Sequence, residues 1–193
     1  CSETEAYARQ YAKKNKMTHM PPYNDVKAIG GQGTIAVELT NQLDQIDAVF
    51  VALGGGGMIS GIGGFLKPQI PGVQIIGCSP QNSQVMIQSV KAGRILDLPS
   101  LPTLSDGTAG GIEPGSITLD LCRDFVDAYI TVTEEEIKDS LREFIQTQHM
   151  LIEGSAAVAV AAFKKQADRF SGLNVVVVIC GGNISLETLK TVL

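Results

Sequence analysis

Residues 48–66 read AVFVALGGGGMISGIGGFL: an apolar run, four consecutive glycines, then a stretch of small and apolar residues. Glycine loses the most backbone freedom on folding and brings no side chain to pack, so four in a row need a reason. One reason is a strand-to-helix turn drawn so tight against its neighbours that only glycine fits. Another is a bare helix start, where unpaired N–H groups and the positive end of the helix dipole together favour an anion such as phosphate. Four consecutive glycines point to the anion site, and close packing stands beside it as the plainer alternative.

Working outward, Val- and Ile-rich runs alternate with helical patterns. IDAVFVAL (46–53), GVQIIGCS (72–79), AYITV (128–132) and NVVVVIC (174–180) read as strands, and MTHM (17–20) as a short strand candidate. Helices are expected over 5–16, 33–43, from the glycine run to Lys67-Pro68, and over 83–93, 117–126, 134–148 and 154–170. Ser2 with Glu5 and Thr133 with Glu136 form capping boxes, and Gly93 closes the 83–93 helix. PPYND (21–25) and residues 94–116 read as loops. The strands lack polar alternation, so they are buried on both faces. That pattern predicts an α/β fold: an open, mostly parallel sheet with helices on both faces.

Composition narrows the function. The chain has 193 residues and a formal net charge of −5, which argues against nucleic acid or an anionic membrane as partner. No apolar run approaches the roughly 20 residues of a membrane span. Cys1, Cys78, Cys122 and Cys180 lie far apart without a C-x-x-C pair and read as free thiols of a cytoplasmic protein. His19 and His149 have no metal-ligand spacing, and Glu134–Glu136 reads as a solvated first helical turn. A dinucleotide fingerprint fits only as Gly55, Gly57 and Gly61, and the next strand ends at Cys78-Ser79-Pro80 without a carboxylate for a ribose. The P-loop pattern is absent.

IGGQGTIAVEL (29–39), VALGGGGMISGI (51–62), LSDG (104–107), ITVTEEEI (130–137), MLIEGSAAVAVAAF (150–163) and VVVICGGNISL (176–186) follow one another in a telling order. In order and spacing the chain resembles the C-terminal portion of pyridoxal-phosphate-dependent serine/threonine dehydratases and serine racemase, of the tryptophan-synthase-β-like fold. The resemblance runs from about Ser2 to Ile184 and implies pyridoxal 5'-phosphate as cofactor. It implies that Gly54, Gly55, Gly56, Gly57 and Met58 hold the cofactor phosphate through main-chain amides, and that Cys180 stands opposite the ring nitrogen. A neutral thiol there does not keep the ring protonated, which suits loss of a β-hydroxyl; taken alone, Cys180 reads as a small buried hydrophobe. Tyr23 falls near the ring by the same resemblance. Glu153 reads either as a cofactor neighbour or as a helix-start carboxylate; Asp106 also matches the family pattern, with an ordinary Asp-Gly turn as the favoured reading.

Two departures shape the expectation. None of the lysines stands in the family's Schiff-base context, and the loop that holds the substrate carboxylate has no counterpart here. With Cys1 in place of Met, the chain is expected to be a C-terminal piece of a longer enzyme. Residues 1–22 would then end a small domain, and 23–193 would form the C-terminal part of the large cofactor-binding domain. The positions that hold a divalent cation in racemase-like members read Ser79 and Val85, so no metal is expected there. No residue of this chain is named as catalytic. The resemblance implies β-elimination on L-threonine or L-serine, giving a 2-oxo acid and ammonia. A racemase or other lyase of the same fold, or a non-catalytic module for a phosphate ligand, remains as an alternative. A small amino-acid substrate, and either a homo-oligomer or the missing N-terminal half as partner, associating through an apolar surface left by missing strands, complete the expectations.

Overall fold

The computed structural model describes residues 2–193, with side chains from residue 4 onward. The expectations placed on Cys1 and on the Ser2 capping hydroxyl lie outside the described residues. Strands β1 (Ala48–Ala52), β2 (Gln74–Pro80), β3 (Ala128–Val132) and β4 (Val175–Val177) form one sheet in the order β3-β2-β1-β4, parallel throughout. Phe50 lies opposite Ile76 on one side and Val177 on the other.

The β1 sequence AVFVA is buried at all five positions because both faces of the sheet are covered. Alternation divides it. Val49, Val51 and Leu53 pack with Ile59, Ile62, Leu66 and Ile75 on one face. On the other, Ala48 and Phe50 meet Ile137, Leu141, Ile152 and the alanines of the helix at 154–166. The first face carries α4 (Gly57–Gln69), α5 (Val85–Ala92) and α6 (Thr118–Phe125), and the second α7 (Glu134–Gln148) and α8 (Gly154–Gln166). Alanine along α8 lets that helix lie close to the sheet, and the Phe50 ring fills the remaining space edge-on to Phe163 and Phe170.

The α/β architecture predicted from the strand pattern is the one observed. Burial on both faces holds for β1 and nearly all of β2; β3 and β4 are edge strands and only half-buried. Residues 17–20 form no strand: they pair with none of the four strands of the sheet, and Met17 and Met20 are exposed. Besides α1 (Ser2–Lys14) and α3 (Thr34–Gln42), two helices beyond the expected set appear, α2 (Val26–Gln32) and α9 (Leu186–Val192). Each starts at a side-chain cap: Asp25 Oδ1 accepts from the Lys27 and Ala28 amides, and Ser185 Oγ from the Thr188 amide. The Thr133–Glu136 capping box is formed in both directions, and Gly93 closes α5 at φ +66. Of the acidic run only Glu135 is exposed; Glu134 accepts from the Leu104 amide and Glu136 completes the cap.

Candidate functional site

In an open parallel sheet, ligands bind beyond the carboxyl ends of the strands. Here β1 and β4 run side by side, so the turns at Gly54–Gly57 and Cys180–Asn183 leave the same end of the sheet from neighbouring strands. The start of α8 and a 3-10 turn at Asp106–Thr108 close in between them: a Cβ on Gly107 would meet Ser155 Oγ at 2.7 Å and Glu153 Oε1 at 3.4 Å.

Each glycine of the first turn is required by what surrounds it. Gly56 sits at φ +85, a left-handed conformation that disfavours any side chain, and its Cβ would lie 2.9 Å from Cys122 Sγ. On Gly54 a Cβ would meet Thr108 Cα at 2.9 Å, and on Gly55 and Gly57 it would meet Tyr23 at 2.5 and 2.8 Å. Packing therefore accounts for the glycines as such. The amides are a separate matter. Among the described residues, none of the N–H groups of Gly54 through Ile59 donates to a protein acceptor, whereas the Leu53 amide donates to the Cys78 carbonyl at 2.7 Å and the Ser60 amide to Gly56 at 3.1 Å. Six successive amides at the start of a 13-residue helix are thus without protein partners, those of Gly56, Gly57 and Ile59 in buried residues. Helix starts leave such donors unpaired, and an anion satisfies several of them at once.

Tyr23 is half-buried against this turn, and its hydroxyl accepts a 2.8 Å hydrogen bond from the Glu113 amide. Burial raises the phenol above its ordinary range, with that amide opposing the shift. Cys180 lies at the mouth of the second turn and makes no disulfide. The residue is exposed overall, yet the crowding about its sulfur, with the Glu153 charge adding, pushes the thiol up to about 11, so it is neutral at neutral pH. Glu153 stands at the start of α8, and its carboxylate borders the turn that carries Cys180. Its side chain does not cap α8; instead Oε2 accepts from the Asn183 amide at 3.1 Å while its own amide donates to the Gly181 carbonyl at 3.0 Å. It clasps the second turn. Asp106 Oδ1 accepts from the Gly107 amide, as a local turn residue does.

Ser79 is fully buried and donates to the Leu53 carbonyl at 2.8 Å, and Val85 is core. His149 is the left-handed residue that closes α7, and His19 lies partly buried in a loop. Three hydroxyls went unread in the sequence. Thr118 and Ser116 lie beneath the glycine turn, and Ser155 Oγ is buried with no hydrogen-bond partner. No spacing pattern marks them, since Ser and Thr near helix starts are ordinary caps.

The unpartnered amides, the orphan Ser155 hydroxyl and a neutral thiol at the rim fit a ligand with an anionic end and a polar ring. A family model described as pyridoxal-phosphate dependent enzyme matches residues 1–181. L-threonine ammonia-lyase of Thermotoga maritima is 37% identical over 191 residues, covering 98% of this chain and 47% of that protein. Among solved structures, the processed form of threonine deaminase isoform 2 from Solanum lycopersicum matches with a TM-score of 0.90 at 31% identity, covering 97% of this chain and 55% of that one. Serine racemase from Dictyostelium discoideum matches with a TM-score of 0.84 at 29% identity, over 94% of this chain and 58% of that one. The chain spans about half the length of the curated relatives it matches.

Proposed function

This chain belongs to the family of pyridoxal-phosphate-dependent enzymes, and from that premise we propose that it forms the cofactor-holding part of a dehydratase that turns L-threonine or L-serine into a 2-oxo acid and ammonia. The run of unpartnered amides at the start of α4 carries the reading. In it, Gly54, Gly55, Gly56, Gly57 and Met58 hold the phosphate through their N–H groups, with the dipole of α4 behind them. The Tyr23 ring lies over Gly55 and keeps water from that side of the turn. Cys180 would offer the ring nitrogen a neutral thiol, a weak donor without charge. Bound there, pyridoxal phosphate supplies the electron sink for breaking bonds at the substrate Cα. Proton transfer at that carbon is assigned to no residue of these 193.

The racemase reading has a similar fold behind it, but the residues at its cation positions are engaged elsewhere: Ser79 holds the Leu53 carbonyl and Val85 packs in the core. Residues 1–22 go to a smaller domain in this reading: of the described α1 side chains only Ala12 is buried, Tyr7 and Tyr11 are exposed, and Arg9 reaches the rest through an ion pair with Glu113. The half-buried edge of β4, with Ile179 exposed beside it, supports a protein partner at that edge. Cys78, Cys122 and Cys180 are free thiols, which supports a cytoplasmic setting; separately, no helix among the described residues is long and apolar enough to cross a membrane.

The test uses the whole natural polypeptide that contains this segment. Its visible spectrum is recorded before and after borohydride, and 2-oxo acid is assayed from L-serine and L-threonine. A cofactor band abolished by reduction, with oxo-acid release, is the expected result. D-serine in place of oxo acid would establish the racemase, and no band with no product would leave a phosphate-binding module without chemistry.

A further inference from the structure

The glycine turn is held from below. The Gly55 carbonyl accepts a 2.7 Å hydrogen bond from Thr118 Oγ1, and Ser116 Oγ lies 2.7 Å from that same Thr118 oxygen. Both side chains are buried, Thr118 completely. A hydroxyl has one proton to donate. The proton of Thr118 goes to the Gly55 carbonyl, so Ser116 is the donor in the second bond, and the chain runs in one direction from Ser116 to Thr118 to Gly55.

A peptide unit between two glycines is the easiest kind to flip, because neither flanking residue has a Cβ to resist the rotation. The Gly55–Gly56 unit is of this kind, and it is trans, so its carbonyl and its N–H point to opposite sides. With the carbonyl held toward α6, the Gly56 N–H must face away from α6, where it is one of the unpartnered amides. Donation into the carbonyl also polarises the unit and strengthens that N–H as a donor. We propose that Thr118, oriented by Ser116, is a positioning residue that locks the Gly55–Gly56 peptide with its N–H turned to the ligand's anionic group. The inference rests on the phosphate reading of the turn.

Two probes separate this role from a merely structural one: pyridoxal 5'-phosphate, and pyridoxal, which lacks the phosphate. Binding of each to the whole natural polypeptide is measured for the wild type, Thr118→Val, Thr118→Ser and Ser116→Ala, with thermal midpoints of the cofactor-free proteins alongside. Thr118→Val weakens the phosphate ester about tenfold or more, the scale of one hydrogen bond to a charged acceptor, and leaves pyridoxal within about twofold. Thr118→Ser restores the wild-type ratio, and Ser116→Ala falls between. An equal loss for both probes, no loss for either, or failure of Thr118→Ser to rescue overturns the lock. Should Thr118→Val not fold, Ser116→Ala against Thr118→Ser reads the same ratio. A wild type that binds both probes equally refutes the phosphate reading of the turn itself, and the lock with it; a wild type that prefers the ester while Thr118→Val keeps the preference refutes the lock alone.

Discussion

The turn at Gly54–Gly57 follows the central strand β1, and the turn at Cys180–Asn183 follows the edge strand β4. Both are glycine-rich and both open on the same end of the sheet, but their surroundings differ. Around the first, each missing Cβ faces backbone or packed side chains: Thr108, Tyr23, and the Cys122–Met86–Thr118 group. Around the second, the missing Cβ of Gly181 faces the carboxylate of Glu153 at 2.4 Å, the far end of a flexible side chain. The first turn is rigid because the core builds it. The second is tied by main chain, the Glu153 amide on the Gly181 carbonyl, and by one removable side-chain clasp, the Glu153 carboxylate on the Asn183 amide. A site made of both has a fixed half for an anion and an adjustable half for whatever lies at the other end of the ligand.

The widest separation is expected from paired substitutions. Gly56→Ala forces a side chain into a left-handed residue and against Cys122 Sγ at 2.9 Å. Left-handed strain and overpacking together cost about 2–4 kcal/mol. Gly181→Ala displaces only the Glu153 carboxylate and is expected to cost about 1 kcal/mol or less. Denaturant midpoints at unchanged slope measure both. Equal losses would mean that the second turn is as tightly built as the first.

A finer contrast lies one residue before each turn's glycines. Leu53 is anchored twice, by its amide to the Cys78 carbonyl and by its carbonyl to Ser79 Oγ at 2.8 Å. Ser79→Ala leaves that buried carbonyl with one partner fewer and is expected to cost about 1–2 kcal/mol. Cys180, exposed, has no such anchor, and Cys180→Ala is expected to stay within about 0.5 kcal/mol of the wild type.

What the sequence disclosed follows the same division. The strands β1 and β2 show as continuous apolar runs, and α7 could be bounded from Thr133 and Glu136 because a capping box is local chemistry written in local residues. Helices α2 and α9 were hidden because each has only seven residues and gains its stability by docking. Gly30 and Gly31 speak against α2, yet it packs so close to α4 that a Cβ on Gly61 would meet the Ile29 carbonyl at 2.3 Å. In the site, GGGG located the turn, and of its neighbours only Tyr23 was foreshadowed, by the family resemblance rather than by the glycines. Tyr23, Met86, Thr108 and Cys122 are brought to it from four separate segments, and Thr118 carries no mark that distinguishes it from any helix-start threonine. Glu153 was legible as important and not as a clasp, because its partner Asn183 lies 30 residues on and meets it only through the β4 turn.

The smallest effect is a chemical one, and it probes the adjustable half directly. Burial is the first cause that raises the Cys180 thiol to about 11, and the Glu153 carboxylate is the second, since a like charge beside it disfavours the thiolate. The thiolate is the form that reacts with iodoacetamide, so alkylation at Cys180 is expected to be slow near pH 8 and to climb as the pH approaches 11. Glu153→Gln removes the charge, keeps an oxygen able to accept from the Asn183 amide, and moves the thiol down. The rate at pH 8–9 therefore rises, read by peptide mass at Cys180 so that buried Cys78 and Cys122 do not confuse it. The shift stays partial, because the larger cause, burial, is untouched. An unchanged rate would mean that the carboxylate turns away from the sulfur in solution, and the clasp would then be looser than the bond to Asn183 implies. A full return to the rate of an exposed cysteine would mean the reverse: that Glu153 alone holds the second turn closed over the sulfur, and that without it the turn opens.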